Sequence, residues 1–329
     1  MHIGILDDYT RVVPELKCLA KMSGHRVSVW HDREHDVGRL AERLKDVDAL
    51  IPIRERTRIT GELIARLPNL KIVTLTGPSL HVDVEACTRH GVLFCNGRPG
   101  QTYGTAELTW GLALAAMRRI PQEVARLKAG SWQGSTGTVL HGRTLGILGY
   151  GRIGRIVAGY GRAFGMEVLV WSRESGRAAA AADGHEVARS QRALFQQSDV
   201  LSLHVKLVPE TKGLVTAADL AAMKPTSVLV NTSRSGLIEP GALVAALEAG
   251  RPGSAAVDVY DREPIFGAED PLLHLDNAVC TPHLGFVERD GLESYFSAQF
   301  DRILAFAACN PIDVQNPEVL DRPFRRAAG

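Results

Sequence analysis

Cysteine is sparse and scattered in this chain. Its five residues, Cys18, Cys87, Cys95, Cys280 and Cys309, include no CxxC pair, which argues against a disulfide framework and against a zinc site built on clustered thiols. No metal centre is expected. Neither sign of charge is in excess: 38 Lys+Arg against 37 Asp+Glu leave a net charge of +1, too little to recruit nucleic acid or an anionic membrane through a global field. No apolar run approaches the ~18 residues needed to span a bilayer. The start, Met1 to Asp8, reaches two carboxylates too soon to be a signal peptide. There is no long Gly/Ser/Pro linker and no internal repeat. A cytoplasmic location is therefore expected, with no nucleic-acid or membrane partner.

What is present is ample core material. Hydrophobic residues make up 45% of 329 and charged residues 23%, the balance of a globular protein with about two domains. Short apolar runs alternate with helical stretches, the pattern of an α/β protein with parallel sheets covered on both faces. The first series of strands is expected at His2–Leu6, Arg26–Trp30, Ala49–Ile53, Lys71–Leu75 and Val92–Cys95. An Ala/Leu-rich helical stretch follows from Gly104 to Ala129, with a kink or break at Pro121. The second series is expected at Thr144–Leu148, Glu167–Trp171, Val200–His204, Ser227–Asn231, Ala255–Val259 and Ala278–Thr281. A helix from Val287 to Cys309 closes the chain.

Gly149-Tyr150-Gly151-Arg152-Ile153-Gly154 is a GxGxxG turn between an apolar strand and a helix-like segment. In that setting Gly149 permits the tight turn, Gly151 lets backbone approach a pyrophosphate, and Gly154 lets helix and strand pack closely. The helix start then offers free N–H groups and a partial positive charge to phosphates. After the next strand come Ser172 and Arg173 where an NAD-selective site usually has an acidic residue. Arg173 can pair with a 2′-phosphate, which favours NADP, while Glu174 nearby keeps NAD open.

Three further motifs each follow an apolar strand: Asn231-Thr232-Ser233-Arg234-Ser235-Gly236, Asp258 to Pro264, and Thr281-Pro282-His283-Leu284-Gly285. Ligands of open parallel sheets bind outside the carboxyl ends of strands, so Arg234, Glu263 and His283 can converge there. Singly each has a bland explanation: a surface charge, a turn before proline, a helix cap. Together they match the needs of 2-oxo acid reduction. Arginine grips a carboxylate with two hydrogen bonds, histidine exchanges protons near neutrality, and a carboxylate on its other nitrogen favours the protonated ring.

These stretches, with Leu203–Gly213, Thr105-Ala106-Glu107 and Gly130-Ser131-Trp132, resemble the D-isomer-specific 2-hydroxyacid dehydrogenase family over nearly the whole chain. The resemblance implies two doubly wound parallel-sheet domains. Residues 1–100 and 287–329 would form a flavodoxin-like substrate domain, and 101–286 a Rossmann NAD(P)-binding domain, with the reaction held in the crevice between them. It implies His283 as acid/base, Glu263 as its partner, Arg234 as binder of carboxylate and carbonyl, and Asp258 on the nicotinamide carboxamide. It also implies a homodimer joined through the nucleotide domain.

The expected cofactor-binding set is Gly149, Gly151, Arg152, Ile153, Gly154, Ser172, Arg173, His204, Lys206, Thr232, Ser233, Arg234, Asp258, His283 and Gly285. The expected substrate set is Gly77, Ser79, Leu80, Arg234 and His283.

The chain departs from the family in places. Its substrate loop, Thr76-Gly77-Pro78-Ser79-Leu80-His81, has one glycine, and Pro78 has no N–H to offer. Ser79 and His81 could supply side-chain donors instead, or His81 could cap the following segment. Lys206 stands where the family usually has proline, and either reaches a cofactor phosphate or points to solvent. Arg98 adds a possible second cation near the crevice. The function expected is hydride transfer between NAD(P)H and a small 2-oxo acid or D-2-hydroxy acid, of the glyoxylate or hydroxypyruvate type. Phosphoglycerate is less favoured because the chain ends before any regulatory domain. The alternative is a dinucleotide-sensing protein like the corepressors of this fold, for which the short Asn316–Gly329 tail is thin support.

Overall fold

A computed structural model describes residues 1–97 and 103–321. Arg98 lies outside the described residues, as do residues 322–329 of the tail. The chain divides into two compact units, Met1–Gln101 with Arg289–Gly329, and Thr102–Glu288.

In the first unit β1 (His2–Leu6), β2 (Arg26–Val29), β3 (Ala49–Pro52), β4 (Ile72–Thr76) and β5 (Leu93–Gly97) form a parallel sheet in the order β2-β1-β3-β4-β5. That is the flavodoxin-like order. Every residue of β3 and β4 is buried, which is why these strands read as continuous apolar runs rather than as alternation.

Helices α1 (Val37–Leu44), α2 (Gly61–Ala65) and α3 (Val84–Arg89) each start on a side-chain cap. Asp36 accepts from the Arg39 N–H, Thr60 from Leu63 and Asp83 from Ala86. The C-terminal helix, Arg289–Ala307, returns to this sheet. It buries Phe296, Phe300 and Ile303 fully, each contributing about 1.5–3 kcal/mol. Its Gln299 accepts the Thr74 hydroxyl of β4 at 2.6 Å.

The second unit holds β6 (Thr144–Leu148), β7 (Glu167–Trp171), β8 (Glu186–Val187), β9 (Val200–Leu203), β10 (Val228–Asn231), β11 (Ser254–Val257) and β12 (Ala278–Cys280). These are parallel, in the order β12-β11-β10-β9-β6-β7-β8. The order reverses between β6 and β9, the Rossmann arrangement with its switch point there. Successive residues along a strand enter opposite apolar layers. Val230 lies in the apolar layer of Trp110, Val157 and Val170, whereas Leu229 lies in that of Phe195, Leu201 and Leu243.

The helices of this unit include α4 (Tyr103–Met117), α5 (Ile120–Lys128), α6 (Arg152–Ala163) and α7 (Glu174–Ala182). The long helical stretch expected from Gly104 to Ala129 is thus two helices. Arg119 breaks it with a left-handed φ of 54°, and Pro121 opens α5. Among the described residues no helix is long and apolar enough to cross a membrane, and no His/Cys/Asp/Glu group could hold a metal ion.

Candidate active site

The glycine turn emerges from β6 at the switch point. Gly149 has φ +96°, and a Cβ there would lie 2.7 Å from the His204 carbonyl oxygen at the end of β9. Only glycine is comfortable in that pairing of dihedral and contact. A Cβ on Gly154 would run into the Gly149 carbonyl, so the start of α6 sits directly on the turn. A Cβ on Gly151, by contrast, meets nothing within 4 Å, and this residue caps α6 without a side-chain bond. The first N–H groups of α6, including those of Arg152 and Ile153, have no carbonyl partner within the helix and no side-chain cap from Gly151. A pyrophosphate fits that cradle.

At the end of β7, Ser172 accepts the Tyr150 N–H at 3.3 Å. Arg173 caps α7 and is exposed, and Arg177 stacks over the Trp171 ring at 4.7 Å. The Tyr150 hydroxyl donates to Asp183 at 2.8 Å, and Arg155 pairs with the same carboxylate at 3.1 Å. This brace on the glycine turn had no sequence signal, because its members are 28 to 33 residues apart for Asp183 and belong to no shared motif.

Four strand ends line up beside the turn on the same sheet edge, because the strands are parallel and adjacent in the order β12-β11-β10-β9. Beyond β9, the His204 Nε2 meets the Ser202 hydroxyl at 2.9 Å. Loss of hydration pushes the imidazole down to about 4, so it is neutral at pH 7. The Lys206 side chain is exposed. Beyond β10, the Thr232 hydroxyl lies 2.6 Å from that of Thr109 on α4, the Ser233 hydroxyl donates to the Val205 carbonyl (2.7 Å), and the Arg234 Nη1 donates to the Ser233 carbonyl (2.7 Å).

Beyond β11 and β12 the structure brings Glu263 and His283 together. Glu263 Oε2 lies 2.6 Å from His283 Nδ1, and Oε1 accepts the Tyr260 N–H at 2.8 Å. The Phe286 ring packs edge-on against the imidazole at 5.5 Å. His283 adopts a left-handed φ of 52°, uncommon for a residue with a side chain.

Asp258 holds that conformation. Its Oδ1 accepts the Thr281 hydroxyl (2.6 Å) and the Leu284 N–H (2.7 Å), and its Oδ2 accepts the Gly285 N–H (2.9 Å). Burial raises the Asp258 pKa, and these three donors oppose the rise. Thr105 of α4 donates to the Gly285 carbonyl at 2.6 Å, and the Tyr260 hydroxyl to the Thr281 carbonyl at 3.0 Å. The histidine segment is thus held on both flanks, with Glu263 on its ring.

In the first unit, Gly77 has φ +116°, and its N–H donates to the Gly97 carbonyl at 3.1 Å. Ser79 is half-buried and Leu80 is 96% exposed. His81 is buried, with neither ring nitrogen bonded within the protein, and burial lowers its pKa.

A Rossmann sheet with an open glycine turn at its switch point and a histidine–carboxylate pair on the same edge defines a class: dinucleotide-binding α/β proteins. Comparison with known proteins narrows it. Residues 110–285 match the family model described as D-isomer specific 2-hydroxyacid dehydrogenase, NAD binding domain. The glyoxylate reductase of Thermococcus litoralis is 33% identical over 325 residues, covering 94% of this chain and 96% of that one. The D-3-phosphoglycerate dehydrogenase of Methanocaldococcus jannaschii is 38% identical over 249 residues, 75% of this chain; the match spans about half (47%) of that relative's length. The crystal structure of an oxidoreductase from Ralstonia solanacearum superposes with a TM-score of 0.94 at 49% identity, covering 98% of each chain. The chain belongs to the D-isomer-specific 2-hydroxyacid dehydrogenase family.

Proposed function

We propose that the protein is an NAD(P)-dependent oxidoreductase interconverting a small 2-oxo acid and its D-2-hydroxy acid. The observation that carries this is the 2.6 Å bond between Glu263 and His283 on the sheet edge that bears the open glycine turn. The cofactor would be held by Gly149, Gly151, Arg152, Ile153 and Gly154 at its pyrophosphate. Ser172 and Arg173 would serve its adenosine end, and the strand-end residues His204, Lys206, Thr232, Ser233, Arg234, Asp258, His283 and Gly285 its remainder. When bound, the nicotinamide supplies or accepts the hydride.

The chain's own residues do the rest. Protonated His283 delivers a proton to the substrate carbonyl oxygen in reduction, and Glu263 on Nδ1 fixes the ring and stabilises the imidazolium. Arg234 holds the substrate carboxylate and stabilises negative charge developing on the carbonyl oxygen. Gly77, Ser79 and Leu80 are proposed substrate contacts. In the oxidative direction His283 takes the hydroxyl proton instead.

NADP(H) is the proposed preference, supported by Arg173 at the cap of α7 and Arg177 one turn on, two guanidinium groups suited to a 2′-phosphate. A homodimer is proposed through the second unit. Supporting it, α5 buries none of its residues and presents Ile120, Val124 and Leu127 on one face, near in sequence to exposed Trp132 and Val139.

A rate panel tests the function: glyoxylate, hydroxypyruvate, pyruvate and longer 2-oxo acids with NADH and NADPH, and D-3-phosphoglycerate with the oxidised cofactors. Turnover of at least one 2-oxo acid is expected, faster with NADPH. Cofactor binding with no turnover across the panel would instead favour a dinucleotide-sensing protein.

A further inference from the structure

We propose that Arg302, on the C-terminal helix, is a positioning residue for the substrate loop Gly77–His81; this rests on the proposed role of that loop. Arg302 is a buried cation, 4% exposed. Such a charge is costly unless well bonded, and two of its bonds reach the root of the loop. Nη1 donates to the last carbonyl and hydroxyl before the loop, Leu75 O at 3.3 Å and Thr76 Oγ1 at 2.8 Å, and to Gln299 Oε1 at 3.2 Å. Nε donates to Asp313 Oδ2 at 2.8 Å. Nη2 lies flat against Gly97, where any Cβ would collide with it.

Gly97 is the residue whose carbonyl accepts the Gly77 N–H, and its neighbour Asn96 closes a reciprocal pair with Gly77, Oδ1 accepting its N–H (3.2 Å) and Nδ2 donating to its carbonyl (3.0 Å). The guanidinium thus joins the ends of β4 and β5 directly below the left-handed Gly77. At the far end of the loop, the Ile59 N–H donates to the His81 carbonyl at 2.8 Å. Between these two anchors Pro78 and Leu80 are exposed. The orientation of the span is therefore set at its roots, and Arg302 sets one of them. Its planar fork reaches acceptors on two elements at once, which an ammonium group cannot reproduce.

The test uses the full-length chain and the 2-oxo acid it turns over best. Arg302→Ala should raise the substrate KM at least tenfold, leave kcat within threefold, and leave the NADPH dissociation constant within twofold. Thr76→Val, which removes one acceptor, should raise KM about threefold. Arg302→Lys should resemble Arg302→Ala, while millimolar guanidinium should recover part of the Arg302→Ala loss. Folded Arg302→Ala with KM within twofold of the parent overturns the proposal. If that variant does not fold, unchanged KM in both Thr76→Val and Arg302→Lys overturns it equally. The loop itself is tested by Ser79→Ala combined with Leu80→Ala. If that double variant leaves KM unchanged, neither side chain binds substrate, the reading of the loop loses its support and the proposal falls with it. If it raises KM while the Arg302 and Thr76 variants do not, the proposal alone fails.

Discussion

His283 stands in a left-handed conformation and stays there because three donors around it converge on one buried carboxylate. Strain of this kind persists where its surroundings over-determine it. The identity of His283, Glu263 and Arg234 as candidates was legible in the sequence, since their residue types and strand-end positions match the chemistry. The clamp by Asp258 was not, because two of its three partners are backbone N–H groups that carry no residue signature. Nor was the half-burial of His204 at the switch point. That burial has a pH consequence. An imidazole with an ordinary value of 6.5, pushed to about 4 in the folded chain, gives stability that is complete above 6.5 and is lost as pH falls toward 4. At pH 5 the loss is about 2 kcal/mol. Urea titrations of the apo-protein at pH 7.5 and pH 5 should show that His204→Gln narrows the stability difference by about that amount. An unchanged difference would mean that His204 is hydrated in the folded state.

The strands were legible at the level of elements because parallel sheets covered on both faces demand continuous apolar runs, and β3, β9 and β10 are buried throughout. The two-residue β8 was missed, being too short to show any periodicity. The stretch after Gly104 divided at Arg119, where φ is left-handed and a proline follows two residues on. The glycine turn allows a paired test. Gly154→Ala forces a methyl against the Gly149 carbonyl and should cost about 1–3 kcal/mol of stability as well as at least tenfold in NADPH affinity. Gly151→Ala adds a methyl in open space, so stability should change by less than about 1 kcal/mol while affinity falls as much. Cofactor fluorescence titration and thermal melting separate the two effects. Undiminished affinity in Gly151→Ala would remove the pyrophosphate from this turn.

At the scale of the whole molecule, the sequence pattern shows two α/β series, but it does not show that the C-terminal helix returns to the first. That return depends on Gln299 and Arg302 bonding β4, contacts over more than 200 residues of sequence. The apolar face of α5 is likewise a three-dimensional feature, since Ile120, Val124 and Leu127 could equally have been core. Light scattering on a sizing column should give twice the chain mass, and Leu127→Glu with Trp132→Glu should reduce it to one chain without changing the fold. A parent protein that elutes as a single chain would remove the dimer. The proton transfer itself is tested most directly by His283→Ala, measured for both turnover and NADPH binding. Turnover should fall at least about a thousandfold with the dissociation constant within threefold, and a variant that still turns over within tenfold of the parent would contradict the assignment.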